Sequence, residues 1–390
     1  MTIRIAIRNS VHALALLLLS HVSISQVRLQ VFLETPEGTY PGSVFVAGDF
    51  NGWDPGSPGE LLQYNGKDYT IILDSLKPVP FQYKFTRGSW EDVEVMPDGS
   101  DRNNRVLELR SDTIIRLRVE AWKSAFSVRR KMSTAGKQVF ALPDSFDMPG
   151  LGRFAKIHVY LPASYKHSRK QYPVIYMHDG QNLFDELRAP FGEWGIDETL
   201  DSLVRAGHPE AIIVGIDNGP RRVNEYTPFD TEKFGAGQGD AYVAFIANRL
   251  KPFIDKKYRT LRAPEHTAIA GSSLGGLISY YAWLSKPNVF GNAGVFSPSF
   301  WIAPRILPLT DSLAATVTGK CFFYIGEQEG DRYVKDMQEV ADRLGARTRA
   351  IMYSVVDPIG EHKEASWRKW FAEFYLWIMG NGFNRQLRTR

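Results

Sequence analysis

Between residues 27 and 118 apolar and polar positions alternate in short runs, among them "VRLQVFLE", "SVFVAGDF", "DYTIILDSL", "FQYKFTRG", "NRVLELR" and "TIIRLRV". A period of two puts successive side chains on opposite faces of a strand, so each run predicts a half-buried β-strand. The separators "TPEGTYPG", "NGWDPGSPG" and "MPDGSDRNN" are rich in Gly, Pro, Asn and Asp, the residues of tight turns. Strands at this spacing predict a small antiparallel β-sandwich over residues 26–118. A polar, basic stretch, "WKSAFSVRRKMSTAGKQ", reads as a linker, and we place it at 119–137.

From about residue 138 the texture changes. Near-continuous apolar runs ("KIHVYLP", "PVIYMHDG", "AIIVGIDN", "TAIAG", "CFFYIG", "RAIMYSVV") alternate with amphipathic stretches of helical length, such as "AYVAFIANRLKPFIDKKY" and "DRYVKDMQEVADRLGA". Strands apolar on both faces and separated by helices predict an α/β domain, here 138–384, with a mostly parallel sheet covered by helices on both sides.

The N-terminus follows neither pattern. Arg4 and Arg8 precede the apolar run "VHALALLLLS", and "VSIS" before Gln26 supplies small residues. This order predicts an export signal over residues 1–25 and a periplasmic or secreted protein. The apolar run is too short to span a bilayer and no cysteine follows it for lipidation, so no stable membrane anchor is expected.

At 390 residues and 44% hydrophobic, the chain is long enough for two cores. Loss of the signal lowers the formal charge from +4 to +2, and no basic stripe interleaves with aromatics, which excludes a nucleic-acid footprint. Cys321 is the single cysteine, so no intrachain disulfide forms, and its place in "CFFYIG" predicts a buried strand residue.

Chemistry concentrates in "TAIAGSSLGGLISYYAWL", where Gly271, Ser273 and Gly275 form G-x-S-x-G between a predicted strand and a predicted helix. That turn projects a serine hydroxyl and aims a helix N-terminus at a developing oxyanion, while Ser272 and Gly276 read as structural. A serine hydroxyl needs a base to take its proton and a carboxylate to orient that base. In α/β-hydrolases the chain order is nucleophile, acid, histidine. Of eight histidines only His362 follows Ser273, in a loop before an amphipathic helix. The preceding strand "KCFFYIGEQEGD" offers Glu327, Glu329 and Asp331, and reach past the turn at Gly326 favours Glu329 over Asp331, with Asp357 a third choice. Two backbone N–H donors are also required; Leu274 follows the nucleophile, and Gln181 follows the turn glycine in "VIYMHDGQNLFD". His178 and Asp179 form a His/Asp pair, but no further ligand cluster has metal spacing around it, so no metal and no cofactor are expected.

The blocks "YPVIYMHDGQNLFD", "VGIDNGPRRVNEYTP", "LKPFIDKKYRTL", "IAGSSLGGLISYYA", "VFSPSFW", "GEQEGD" and "EHKEASWRKWF" resemble the esterase family of α/β-hydrolases that includes siderophore, feruloyl and acetyl-xylan esterases and, more distantly, mycolyltransferases. The resemblance covers roughly 138–380. It implies Ser273 as nucleophile, Glu329 as acid, His362 as base, and Gln181 and Leu274 as oxyanion donors. Many carbohydrate esterases of the group carry Met where Leu274 stands, a change that a backbone donor tolerates. Trp194, Arg221, Glu225, Tyr226 and Trp301 follow strand ends, where open α/β sheets bind ligands; Trp194, Tyr226 and Trp301 are taken as substrate-binding.

In the first module "VFVAGDFNGWDP", "FQYKFTRGSW" and "DRNNRV" resemble starch- and glycogen-binding modules of immunoglobulin-like sandwich type. The resemblance implies a sugar platform of Trp53 and Trp90, with Lys84 and Asn104 (Asn103 if the register slips) bonding hydroxyls. Indole faces suit the C–H faces of sugars. The expected function is an exported serine esterase acting on a small-molecule or glycan ester, with α-glucan or xylan on the first module. A siderophore esterase, an acyltransferase, and a glycan-binding protein with an inactive hydrolase fold are the alternatives.

Overall fold

The computed structural model describes residues 26–40, 42–77, 79–126, 133–143 and 145–380. The expected export signal lies outside them. Described residues up to Gly88, together with Asn104–Ala121, form one compact unit; Ser89–Asn103 and the described residues from Trp122 onward form a second. The segment 89–103, which the strand pattern places inside the first module, thus groups with the second unit.

The first unit is β-rich. Its seven strands form one ladder in the order Arg105–Leu107, Phe81–Thr86, Val44–Gly48, Leu61–Tyr64, Tyr69–Leu76, Val27–Glu34, Thr113–Arg118. Alternation did its expected work, because Leu29, Val31 and Leu33 point inward while Arg28 and Glu34 stay outside. One pairing departs from the antiparallel expectation: Thr113–Arg118 runs parallel to Val27–Glu34.

The second unit holds an eight-stranded sheet: β1 (Val139–Ala141), β2 (Ile157–Tyr160), β3 (Val174–His178), β4 (Ile212–Ile216), β5 (Thr267–Ser272), β6 (Asn292–Phe296), β7 (Lys320–Gly326) and β8 (Ile351–Asp357). Their spatial order is β1-β2-β4-β3-β5-β6-β7-β8. From β4 to β8 all pairings are parallel, while β1–β2 and β2–β4 are antiparallel. The reason is local. Among the described residues no crossover helix joins β1 to β2, and parallel pairing requires one.

Helices cover both faces. Among them are α1 (Ile196–Arg205), α2 (Leu274–Ser285), α3 (Asp331–Gly345) and α4 (Glu364–Met379). Helix α2 is buried from Leu274 to Leu284 within one apolar layer, which explains why its sequence is apolar all round. Phe371, Phe374 and Tyr375 of α4 fill the layer on the other face with Phe296, Phe322 and Trp367. These layers fix β5, β7 and the start of α4, so their ends become a rigid platform. Among the described residues no helix is long and apolar enough to cross a membrane.

Candidate active site

Ser273 stands between the last residue of β5 and the first of α2, at φ 60° and ψ −123°. A non-glycine residue there stores roughly 1–3 kcal/mol of backbone strain, which surrounding bonds must hold. Ser273 N donates to Phe296 O at 2.9 Å, and Ser273 O accepts from Leu277 N and Ser299 N, both at 3.1 Å. Glycine is needed alongside: a Cβ on Gly271 would lie 2.9 Å from the His178 ring, and one on Gly276 would lie 2.7 Å from Phe296 O. The Ser273 hydroxyl is half-buried and meets Ser299 Oγ at 3.2 Å. Among the described residues it makes no hydrogen bond to His362.

His362 lies in the loop between β8 and α4, with Nδ1 2.6 Å from Glu329 Oε2. A carboxylate only accepts, so Nδ1 is the donor in this contact and Nε2 is left outside it. Glu329 is buried just beyond β7, and its Oε1 accepts from Gly326 N at 2.8 Å and Ser297 Oγ at 2.6 Å. Trp367 Nε1 donates to Ser297 Oγ at 2.8 Å, and the Trp367 ring meets the His362 ring edge-on at 5.1 Å. The other two acids are placed elsewhere. Asp331 is exposed at the start of α3, and Asp357 accepts from Trp370 Nε1 at 2.7 Å and Lys369 Nζ at 3.2 Å.

The turn after β3 approaches the same elbow. Asp179 is left-handed at φ 54°, and a Cβ on Gly275 would sit 3.3 Å from His178 Cβ and 3.4 Å from Asp179 Oδ2. Gln181 follows in the short 3-10 turn Gly180–Asn182. Among the described residues the backbone N–H groups of Gln181 and Leu274 have no acceptor. Arg222 clamps Asp179 with two bonds of 2.8 Å, and Asn218 Nδ2 adds a third at 2.6 Å. Burial alone would raise the Asp179 pKa, but the Arg222 charge and these bonds outweigh it and hold it below the usual carboxylate range. His178 is neutral, because burial pushes its pKa down to about 3; its Nδ1 meets Tyr242 Oη at 2.9 Å.

Two expected pocket residues require correction. Trp194 is 2% exposed and stacks on Trp367 at 5.7 Å between Phe296 and Phe371, and Tyr226 is 0% exposed against Tyr242 and His178. Both follow strand ends but turn inward and pack against neighbouring aromatic rings. Glu225 is likewise closed in a buried pair with Arg153 at 2.6 Å, and Arg221 donates to Leu151 O. Trp301 remains half-buried beside the apolar layer of α2. Sequence reasoning missed Ser297, Asp179–Arg222 and Trp367. Ser297 follows β6 at φ 42°, a strained position one strand over from the elbow, which nothing in the sequence marks.

The sugar-platform residues are divided between the two units: Trp53, Lys84 and Asn104 belong to the first and Trp90 to the second. Trp53 is half-buried in a turn with Nε1 bonded to Asp49 Oδ1 at 3.0 Å, Lys84 is half-buried opposite Ala47, and Asn104 Nδ2 donates to Gln82 Oε1 at 2.7 Å. Trp90 packs edge-on against Phe191 at 5.5 Å. Among the described residues one acidic trio, Glu193, Asp197 and Glu198, brings ligand atoms within 4.8 Å of each other. The protein itself partners two of them, through Thr134 Oγ1 to Glu193 and Gly136 N to Asp197.

A strained serine at a strand–helix elbow and a histidine bound to a buried carboxylate are both features found in acyl-transfer sites. A family model described as "Putative esterase" matches residues 149–378, more than half of the chain. The chain belongs to this esterase family. It is 29% identical over 204 residues to YbbA of Bacillus subtilis, described as uncharacterized, covering 50% of this chain and 76% of that protein. It is 33% identical over 144 residues to the iron(III) enterobactin esterase of Dickeya dadantii, covering 36% and 29% respectively. The BES protein of Bacillus cereus shares the fold, with a TM-score of 0.53 at 21% identity over 65% of this chain and 99% of that one. This esterase is a carboxylic ester hydrolase.

Proposed function

We propose that this esterase works through a Ser273–His362–Glu329 triad and an acyl-enzyme. The observation that carries the reading is the 2.6 Å contact of His362 Nδ1 with buried Glu329, whose other oxygen accepts from Ser297, the residue after the Phe296 carbonyl that holds Ser273 N. Rotation of the Ser273 hydroxyl from Ser299 toward His362 Nε2 starts the reaction. Ser273 Oγ attacks the ester carbonyl as its proton passes to Nε2. The carbonyl oxygen gains negative charge and is met by the N–H groups of Leu274 and Gln181. Collapse expels the alcohol, which takes the proton from Nε2. Water then gives a proton to Nε2 as it attacks the acyl carbonyl, and collapse breaks the acyl–Oγ bond, returns that proton from Nε2 to Ser273 Oγ and releases the acid. Glu329 keeps the ring in the productive tautomer and stabilises the imidazolium.

The substrate we propose is an acylated carbohydrate or a related ester, met outside the cytoplasm after export directed by residues 1–25. In the first unit, read as an immunoglobulin-like sandwich, Trp53 supports glycan binding because Asp49 fixes its indole plane. Trp90 belongs to the second unit, where its ring engages Phe191, so the glycan reading rests on Trp53 alone. Retention on insoluble starch is expected for the wild type and lost in Trp53→Ala. Equal retention of both would remove the glycan reading.

A second reading has its own support, since the Dickeya relative is by name an enterobactin esterase. Rates on acetyl, feruloyl and dihydroxybenzoyl esters separate the two. The first reading expects sugar acetates or feruloyl sugars to give the highest kcat/KM. A clear preference for dihydroxybenzoyl-serine esters would replace it with the second.

A further inference from the structure

The turn that carries Gln181 and the loop that carries His362 are joined by one side-chain pair. Asn182 Nδ2 donates to Glu364 Oε1 at 3.3 Å across 182 positions of sequence. Both residues are closed to solvent, at 6% and 7% exposure. Asn182 is fixed in the turn, with its N–H on Asp179 O at 2.9 Å and its carbonyl accepting from Trp194 N at 2.8 Å. Glu364 opens α4 two residues after His362.

One atom in this pair is unsatisfied. Asn182 Oδ1 is buried and has no hydrogen-bond partner among the described residues. An ionised carboxylate offers acceptors alone, whereas a carboxylic acid adds one O–H donor. An acid facing a primary amide satisfies both groups, with N–H to carbonyl and O–H to amide oxygen. We propose that Glu364 is a positioning residue whose carboxylic acid pairs with the Asn182 amide and so clamps the oxyanion turn to the histidine loop. This rests on the serine-esterase reading above.

The surroundings favour the acid form. The charged groups facing Glu364 are Asp179 from the turn, Arg222 from the short helix Arg222–Glu225, and Asp101 from segment 89–103. Arg222 is committed to Asp179 by its two 2.8 Å bonds. Burial pushes the Glu364 pKa up to about 8, and Asp179 and Asp101 act in the same direction, against the α4 backbone and Arg222. At neutral pH the O–H donor is present. Above about pH 8 it is lost, and a second negative charge faces Asp179.

The pH–rate profiles of the wild type, Glu364→Ala and Glu364→Gln test the clamp, with Ser273→Ala as the background control. At pH 7 Glu364→Ala is expected to lose ~10–100-fold in kcat with little change in KM, since small misplacements of reacting groups cost about this much. Glu364→Gln, which mimics the neutral acid, is expected to rescue most of that loss. It is also expected to lack the wild-type decline above about pH 8. An infrared difference spectrum, wild type minus Glu364→Gln, should show a protonated carboxyl band at neutral pH that disappears at alkaline pH. Loss in the Gln variant equal to that in the Ala variant, wild-type profiles in both, or a spectrum showing carboxylate alone would each overturn the proposal. If Glu364→Ala fails to fold, the Gln profile and the spectrum still decide. Ser273→Ala hydrolysing as fast as wild type would instead sink the triad, and the infrared result stands apart from that outcome.

Discussion

Replacing Ser273 by alanine is expected to lower kcat for ester hydrolysis by ~10⁴–10⁶-fold while leaving KM nearly unchanged. The size follows from chemistry and placement together. Ser273 supplies the hydroxyl at the φ 60° elbow, directly before the N-terminus of α2 and the N–H of Leu274. Removing the oxygen leaves the backbone donors in place, so substrate still binds and a small electrostatic rate remains. The neighbouring serine supplies the control. Ser272 is buried as the last residue of β5, and Ser272→Ala should hydrolyse esters near the wild-type rate. Steady-state kinetics on one activated ester distinguish the two serines. A wild-type rate in Ser273→Ala would contradict the assignment.

The second large effect concerns the acid. Glu329→Gln is expected to reduce kcat by ~10⁴-fold, with the fold intact. The glutamine amide can donate to His362 Nδ1, which favours the tautomer whose proton sits on Nε2, and that ring cannot take a proton from Ser273. Ser297 and Gly326 hold the Glu329 side chain by its other oxygen, so the substituted side chain stays in place. Asp331→Asn is the matched control, because Asp331 is exposed at the start of α3. It should leave kcat near wild type. Comparable losses in both variants would mean that the acidic turn acts as a whole rather than through one carboxylate.

The chain points to the proposed nucleophile and the proposed acid for different reasons. The elbow is local: two glycines, a serine and the change from strand to helix lie within a few positions, so the sequence pattern contains the geometry. Glu329 and Asp331 lie two positions apart in sequence, and only the path of residues 327–329 decides which carboxylate turns toward His362. Ser297 was not legible, because a lone serine in "VFSPSFW" has no period to betray its direction. Trp194 and Tyr226 were misread for a related reason. Position after a strand end locates a loop, but packing against Trp367 or Tyr242 determines whether its aromatic faces outward. The parallel sheet from β4 to β8 followed from strand–helix alternation, whereas the antiparallel β1 and β2 lie in a helix-poor stretch that alternation does not describe. Segment 89–103 shows the limit of module boundaries read from strands, since its turn-rich sequence matches the first module while it packs with the second unit.

The central claim is that Ser273 carries the acyl group. Its most direct test is mass spectrometry of the intact protein and its peptides after brief reaction with a fluorophosphonate or a slowly hydrolysed activated ester. The account predicts a single added mass on the peptide containing Ser273, absent in Ser273→Ala and strongly slowed in His362→Ala. Labelling at another residue, or none on a folded protein that still hydrolyses esters, would contradict it.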